Sequence, residues 1–385
     1  MVIENIKIYT KDYKFIWGKI VIKNGMIEAL LPKDGIVQEE MEIWDGQGCF
    51  AIPGMTDLHF HGCNGYDFCD GTVEALDEMA KYQASAGVTT IAPAVMTLPV
   101  PDLEKILSAA AAYKKMQEQE KMAGRADFVG INMEGPFISL EKKGAQNGNH
   151  IIECDVGVYR KLQKAAGGLV KIIAVAPEIG DALSFISTVK NEVTVSIAHS
   201  NADYETAKRA IGAGAAHITH LFNGMSGFHH REPGIIGAAA DSDFVTAELI
   251  CDGQHIHPAV IRAVFRLFGR ERIILISDSM RAAGLQDGTY TLGGQKVLVS
   301  GGRAVMADGK TLAGSVSPLS HCVKYLVRQV GIPLEDAVYC AAVSPVKRLG
   351  LNNQHGSLAK GKKADIVLLD QDINVVKVIK DGIFI

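Results

Sequence analysis

Gly54-Met55-Thr56-Asp57-Leu58-His59-Phe60-His61 is a short β-like run that closes on two histidines spaced two apart. Seven more runs of this kind follow, at Thr89–Val95, Phe128–Met133, Lys171–Ala176, Thr194–Ala198, His217–Leu221, Val245–Cys251 and Arg272–Ser277. Helical patterns fill many of the gaps: Val73–Ala86, Asp102–Glu118, Asp203–Ala213, Pro258–Phe268 and Leu334–Leu349. Short apolar strands alternating with helices make a parallel sheet. Eight such units predict an α/β protein, a (β/α)8 TIM barrel rather than a doubly wound sheet, with its chemistry at the C-terminal strand ends.

Outside these units both ends of the chain are β-rich. Lys19-Ile20-Val21-Ile22-Lys23 leads into Asn24-Gly25, a hairpin signal. Near the other end, Ala364–Leu369 and Val375–Ile379 read as strands joined by a polar turn. The two ends are expected to build one small β-sandwich domain, residues 1–52 and 350–385, around a barrel spanning 53–349.

Composition narrows the function. The 385 residues are 48% hydrophobic, enough to fill two cores. A net charge of −4 and the absence of a Lys/Arg-rich block argue against nucleic acid as partner, so an anionic small substrate needs local basic residues. No apolar run reaches membrane-spanning length, and Met1-Val2-Ile3-Glu4-Asn5-Ile6-Lys7 lacks the layout of an export signal; a cytoplasmic protein is expected. Seven scattered cysteines without CxxC spacing read as reduced, mostly buried thiols.

The polar clusters lie where the strands end. Alternation puts His59 and His61 on one face, where both imidazoles can point at one ion, although an isolated pair is equally read as hydrogen-bonded barrel interior. Glu134 ends the third run, where an unpaired buried carboxylate would cost several kcal/mol. His199 and His220 end the fifth and sixth runs, and singly each reads as a core histidine. Together with Glu134 they give two nitrogens and one oxygen, a three-ligand set that leaves a metal position open. Asp278 follows the eighth run and reads as a second carboxylate of the ligand-type cluster or as a helix cap for the segment after it.

The ordered series Asp57–Gly62, Glu134-Gly135-Pro136-Phe137, Ala198-His199-Ser200, Thr219–Asn223, His229–Gly234, Asp252–His255 and Ser277–Met280 resembles the N-acetylglucosamine-6-phosphate deacetylases of the amidohydrolase superfamily. The likeness extends to Gly356–Asp365 and so covers nearly the whole chain. It implies that Glu134, His199 and His220 bind the principal divalent metal while His59 and His61 hold a second, giving one or two ions of zinc, iron, cobalt or manganese. Asp278 is implied as the base that becomes the acid. Ala145, Gln146, Asn223, Gly224, Arg231, His255 and the covering loop Leu312-Ala313-Gly314 are implied substrate contacts, with Arg231 and His255 on the sugar phosphate. Arg231 is implied to reach the site of an adjacent subunit, hence a homodimer.

Relatives with one ion tend to carry histidine where Gln146 stands, as a group that polarises the substrate carbonyl. Glutamine donates a hydrogen bond but cannot be a cation. A second ion at His59/His61 is therefore expected to take that part. N-acetylgalactosamine 6-phosphate, the C4 epimer, is the rival substrate. Dihydropyrimidinase-like enzymes are disfavoured because a glutamate stands where they use a carboxylated lysine. A metal-free assembly protein is disfavoured because every ligand and Asp278 are present.

Overall fold

In a computed structural model of the chain, residues 1–37, 41–120 and 122–385 are described. The eight parallel barrel strands are Met55–Asp57, Val88–Ile91 continued by Ala94–Val95, Ile131–Phe137, Val170–Val175, Thr194–Ile197, His217–Ile218, Thr246–Ile250 and Ile273–Ile276. Each falls within a residue or two of an expected run, except that the third strand proper begins at Ile131 and continues to Phe137 and the sixth stops at Ile218, three residues short of Leu221. Ladder pairing runs in order from the second strand to the eighth. The ring closes through backbone bonds from Asp278 N to His59 O (3.0 Å) and from His61 N to Ser279 O (2.7 Å).

The helices follow from capping and periodicity. Thr72 accepts from Ala75 N to start Val73–Ser85, whose buried Leu76, Met79, Ala80, Gln83 and Ala84 recur on one face. His257 caps Pro258–Phe268, its side chain accepting from Ala259 N. The segment expected as one helix, Leu334–Leu349, has three parts: Leu334–Val338, a wide π turn at Tyr339–Val343, and Ser344–Arg348. Pro345 accounts for this, because its ring lacks an N–H and displaces the carbonyl one turn earlier.

The terminal strands form one continuous eight-stranded sheet in which Phe50–Pro53 joins Val2–Tyr9 to Ile366–Leu369. Strand alternation divides the side chains of Ile366–Leu369 between two cores. Ile366 and Leu368 pack with Ile3, Ile6, Ile8, Ile20 and Ile379, whereas Val367 and Leu369 join the barrel core. A three-stranded antiparallel sheet, Gly288–Leu292, Gln295–Ser300 and Arg303–Met306, was not anticipated. Its signal lies in the two-residue turns Gly293-Gly294 and Gly301-Gly302, all four at positive φ, as tight hairpins require. All seven cysteines are free thiols and five are buried.

A buried ionic clasp joins the terminal sheet to the barrel. Lys380 Nζ, fully buried, lies 3.2 Å from Asp365, 3.3 Å from Asp127 at the barrel and 2.8 Å from Asp381. Removing one member of such a group strands the others without compensation, at a cost of about 3–5 kcal/mol. Lys380→Met should therefore lower unfolding free energy by that order in urea melts while leaving metal content unchanged.

Candidate active site

The expected ligands converge at the C-terminal mouth of the barrel, all almost fully buried. His59 and His61 follow the first strand, Glu134 lies in the third, and His199, His220 and Asp278 follow the fifth, sixth and eighth. Glu134 is the hub. Its Oε1 is 3.0 Å from His199 Nε2, 2.8 Å from His220 Nε2 and 3.5 Å from His59 Nε2, while its Oε2 is 3.3 Å from His61 Nε2. Asp278 Oδ1 lies 3.3 Å from His61 Nε2 and 3.6 Å from His59 Nε2. The turns that aim these side chains are strained: His199, His220 and Asp278 sit at φ of 43°, 28° and 49°. Left-handed backbone at non-glycine residues costs on the order of 1–3 kcal/mol and persists only where the surroundings hold it.

The donor set fits a divalent cation. His59 Nε2 and Asp278 Oδ1 are buried without a hydrogen-bond partner. The Nε2 atoms of His199 and His220 face each other at 3.2 Å, an arrangement that wastes a lone pair unless a cation lies beside them. His59, His61 and Glu134 form one group of ligand atoms within reach of a common ion, and Glu134, His199 and His220 form another. Electrostatics agree. Burial opposes charge on His61, yet Glu134 and Asp278 outweigh it and hold its pKa up at about 10. Burial likewise opposes ionisation of Glu134, but the surrounding histidines hold its carboxyl well below the usual range. The site is thus built around positive charge, which a divalent ion would supply while freeing the imidazole lone pairs.

A cavity of about 350 Å³ opens over these atoms. Of the expected substrate contacts, Ala145, Gln146, Asn223, Gly224, His255, Leu312 and Gly314 line it. Ala313 does not: it is fully buried and packs with Met280 and Val297 beneath the three-stranded sheet. Arg231 is exposed and outside the lining, in the loop before the helix Gly234–Ala240. Gln146 is anchored at both ends of its amide, donating to Glu134 Oε2 (2.6 Å) and accepting from Thr97 N (2.7 Å). Gly224, at φ 61°, leaves room that a Cβ would fill at 2.8 Å from His199 Nδ1. Burial opposes charge on His255, but the Asp252 carboxylate 2.8 Å from its Nδ1 prevails and raises its pKa, which favours a cation facing the cavity.

Three features escaped the sequence reading. The three-stranded sheet brings Leu292 to the cavity wall, and Gln295 donates to Ala145 O. Lys310, two residues before the covering loop, adds a cation to the wall. Glu248, in the seventh strand, stands behind the ligands and bonds to His59 Nδ1 at 2.8 Å. Only the Gly-Gly turns offered a signal; a glutamate in Thr-Ala-Glu-Leu-Ile reads as one face of an ordinary strand.

Residues 50–384 match the sequence profile of the amidohydrolase family. The chain belongs to the amidohydrolase family. Within it, the chain is 36% identical over 383 residues to N-acetylglucosamine-6-phosphate deacetylase of Bacillus subtilis strain 168, covering 99% of this chain and 96% of that protein. It is 33% identical over 360 residues to N-acetylgalactosamine-6-phosphate deacetylase of Escherichia coli O157:H7, covering 93% and 92%. A solved structure of N-acetyl-D-glucosamine-6-phosphate deacetylase from Mycobacterium smegmatis in complex with N-acetyl-D-glucosamine 6-phosphate superposes with a TM-score of 0.91 at 30% identity, covering 100% of this chain and 98% of that one. The resemblance read from the strand-end clusters is thereby borne out, as is the barrel with its sheet of terminal strands.

Proposed function

We propose that this amidohydrolase removes the acetyl group of N-acetyl-D-glucosamine 6-phosphate, giving D-glucosamine 6-phosphate and acetate. The observation that carries the reading is the convergence of four histidines and Glu134 beside Asp278 at the floor of a cavity. Glu134, His199 and His220 would hold one divalent ion, and His59, His61 and the second oxygen of Glu134 another; zinc, iron, cobalt and manganese all suit such a set. A bound ion of this kind lowers the pKa of a water to about 7 and polarises the acetyl carbonyl.

The chain's own groups do the rest. Asp278 takes the proton of the attacking water as the carbonyl carbon becomes tetrahedral. It then gives that proton to the amide nitrogen as the C–N bond breaks, acting as base and then acid at one position. Gln146 has a second N–H beyond the one bound to Glu134, available to the carbonyl oxygen. His255 and Lys310 bring positive charge to the cavity wall for the phosphate, and the covering loop excludes water above the sugar.

The same proposal includes a cytoplasmic enzyme and a division into a terminal β domain (1–52, 350–385) and a barrel (53–349), supported by the core that Ile3, Ile6, Ile8, Ile20, Ile366, Leu368 and Ile379 build on one face of the terminal sheet, while its other face packs on the barrel. Among the described residues no helix is long and apolar enough to cross a membrane. It also includes a homodimer in which the exposed Arg231 reaches the neighbouring cavity. Arg231→Ala should raise KM for the 6-phosphate about 10- to 100-fold with a smaller change in kcat, as loss of a charge-assisted contact does. Mixing it with Asp278→Asn should recover about a quarter of wild-type activity through hybrid dimers with one intact site; no recovery would mean that Arg231 acts within its own subunit.

The galactosamine epimer remains the second reading because a deacetylase of that substrate is also a close relative. The deciding assay measures acetate release from both 6-phosphates and from unphosphorylated N-acetylglucosamine, with metal content in parallel. Preference for the gluco 6-phosphate supports the proposal, and turnover of neither 6-phosphate overturns it.

A further inference from the structure

We propose that Glu248 is the positioning residue that makes the His59/His61 group a metal site and couples it to the Glu134/His199/His220 group. The inference rests on the metal-dependent reading above. Glu248 has no exposed surface, and an isolated carboxylate is strongly disfavoured in such a place unless it is paired and hydrogen-bonded. Four donors meet that requirement: His59 Nδ1 at 2.8 Å, His217 Nε2 at 3.0 Å, the backbone N–H of His220 at 3.1 Å and Asn132 Nδ2 at 3.4 Å.

The pattern of these bonds separates positioning from mere packing. Accepting from His59 Nδ1 fixes the proton there and leaves the Nε2 lone pair facing Glu134 and Asp278, the atom that has no hydrogen-bond partner. Glu248 Oε2, the same oxygen, accepts from His220 N and so helps hold a ligand residue at φ 28°. One carboxylate oxygen therefore touches a residue from each ligand group. Oε1 is occupied by His217 and Asn132, which lock the carboxylate from behind; His217 is itself fixed by Thr246 Oγ1 at 2.6 Å from its Nδ1. A negative charge behind an imidazole raises its strength as a ligand, and loss of such a partner weakens metal affinity about 10- to 100-fold. The effect should be greater at the His59 group, which Glu248 reaches through the ring itself, than at the His220 group, which it reaches through the backbone.

The test is Glu248→Gln, which keeps size but removes the charge. Metal-free protein is titrated with cobalt(II), and stoichiometry and affinity are read from the cobalt absorbance, with thermal melts of the metal-free forms alongside. Wild type should bind two ions per chain, and the variant should bind its second ion about 10- to 100-fold more weakly while the first changes less. In a His59→Asn background, adding Glu248→Gln should cost no further second-ion affinity. Unchanged affinity for both ions would overturn the inference, as would a wild type that binds a single ion. A wild type that binds two ions but releases no acetate from either 6-phosphate would instead overturn the deacetylase reading and leave this one standing. If the variant does not fold, spectra of zinc-loaded wild type containing ¹⁵N-histidine decide. A protonated Nδ1 at His59 supports the role, and an unprotonated one overturns it.

Discussion

Asp278→Asn should lower kcat for acetate release about 10³-fold, within the 10²- to 10⁴-fold range of a general acid/base, while metal content and KM stay within a few-fold of wild type. The carboxamide has the same shape but cannot take a proton. Asp278 Oδ1 is buried, lacks a hydrogen-bond partner and faces the histidine ring atoms from the open side of the site, as a group that meets the substrate should. A competing effect is coordination, since the same oxygen lies as near to His61 Nε2 as Glu134 Oε2 does. The donor count favours the acid/base role: four histidines and both oxygens of Glu134 already fill two groups without it. Metal analysis separates the two. Near-normal kcat would remove Asp278 from the proton path, and loss of an ion in step with kcat would reassign it as a ligand.

Much of this site was legible because a barrel converts sequence order into spatial convergence. Once eight strand-like runs are recognised, residues at their C-terminal ends must meet, however far apart in sequence they lie. His199 and His220 needed no more than that. The supporting groups were hidden for the opposite reason. Glu248 and His217 lie within strands, where alternation says only that they face the barrel interior and not which atom they address. Gln146 was visible as a departure from the single-ion relatives, but its attachment to Glu134 and Thr97 depends on a loop path that periodicity does not encode. Ala313 was misplaced because a covering loop carries no strand or helix period to separate the residue facing the cavity from its buried neighbour.

The largest loss should follow Glu134→Gln, because this carboxylate serves both ligand groups at once. Its Oε1 contacts His199 and His220 and its Oε2 faces His61, so one neutral substitution weakens every metal contact the site can make. Removing His61 should be milder: His61→Asn leaves Glu134, His199 and His220 intact and should keep one ion. The expected order of metal content is two ions in wild type, one in His61→Asn and fewer than one in Glu134→Gln. Turnover should fall more than about 10³-fold in the last, equivalent to at least about 4 kcal/mol of transition-state stabilisation. Elemental analysis and acetate release on the same samples check both values. The comparison also bears on Gln146, whose amide is bound to Glu134 Oε2. If a second ion supplies the electrophilic help that a histidine would otherwise give, His61→Asn should lose kcat even while its first ion stays bound. A His61→Asn enzyme that works at full rate on one ion would show that Glu134, His199 and His220 suffice and that the second group has another use.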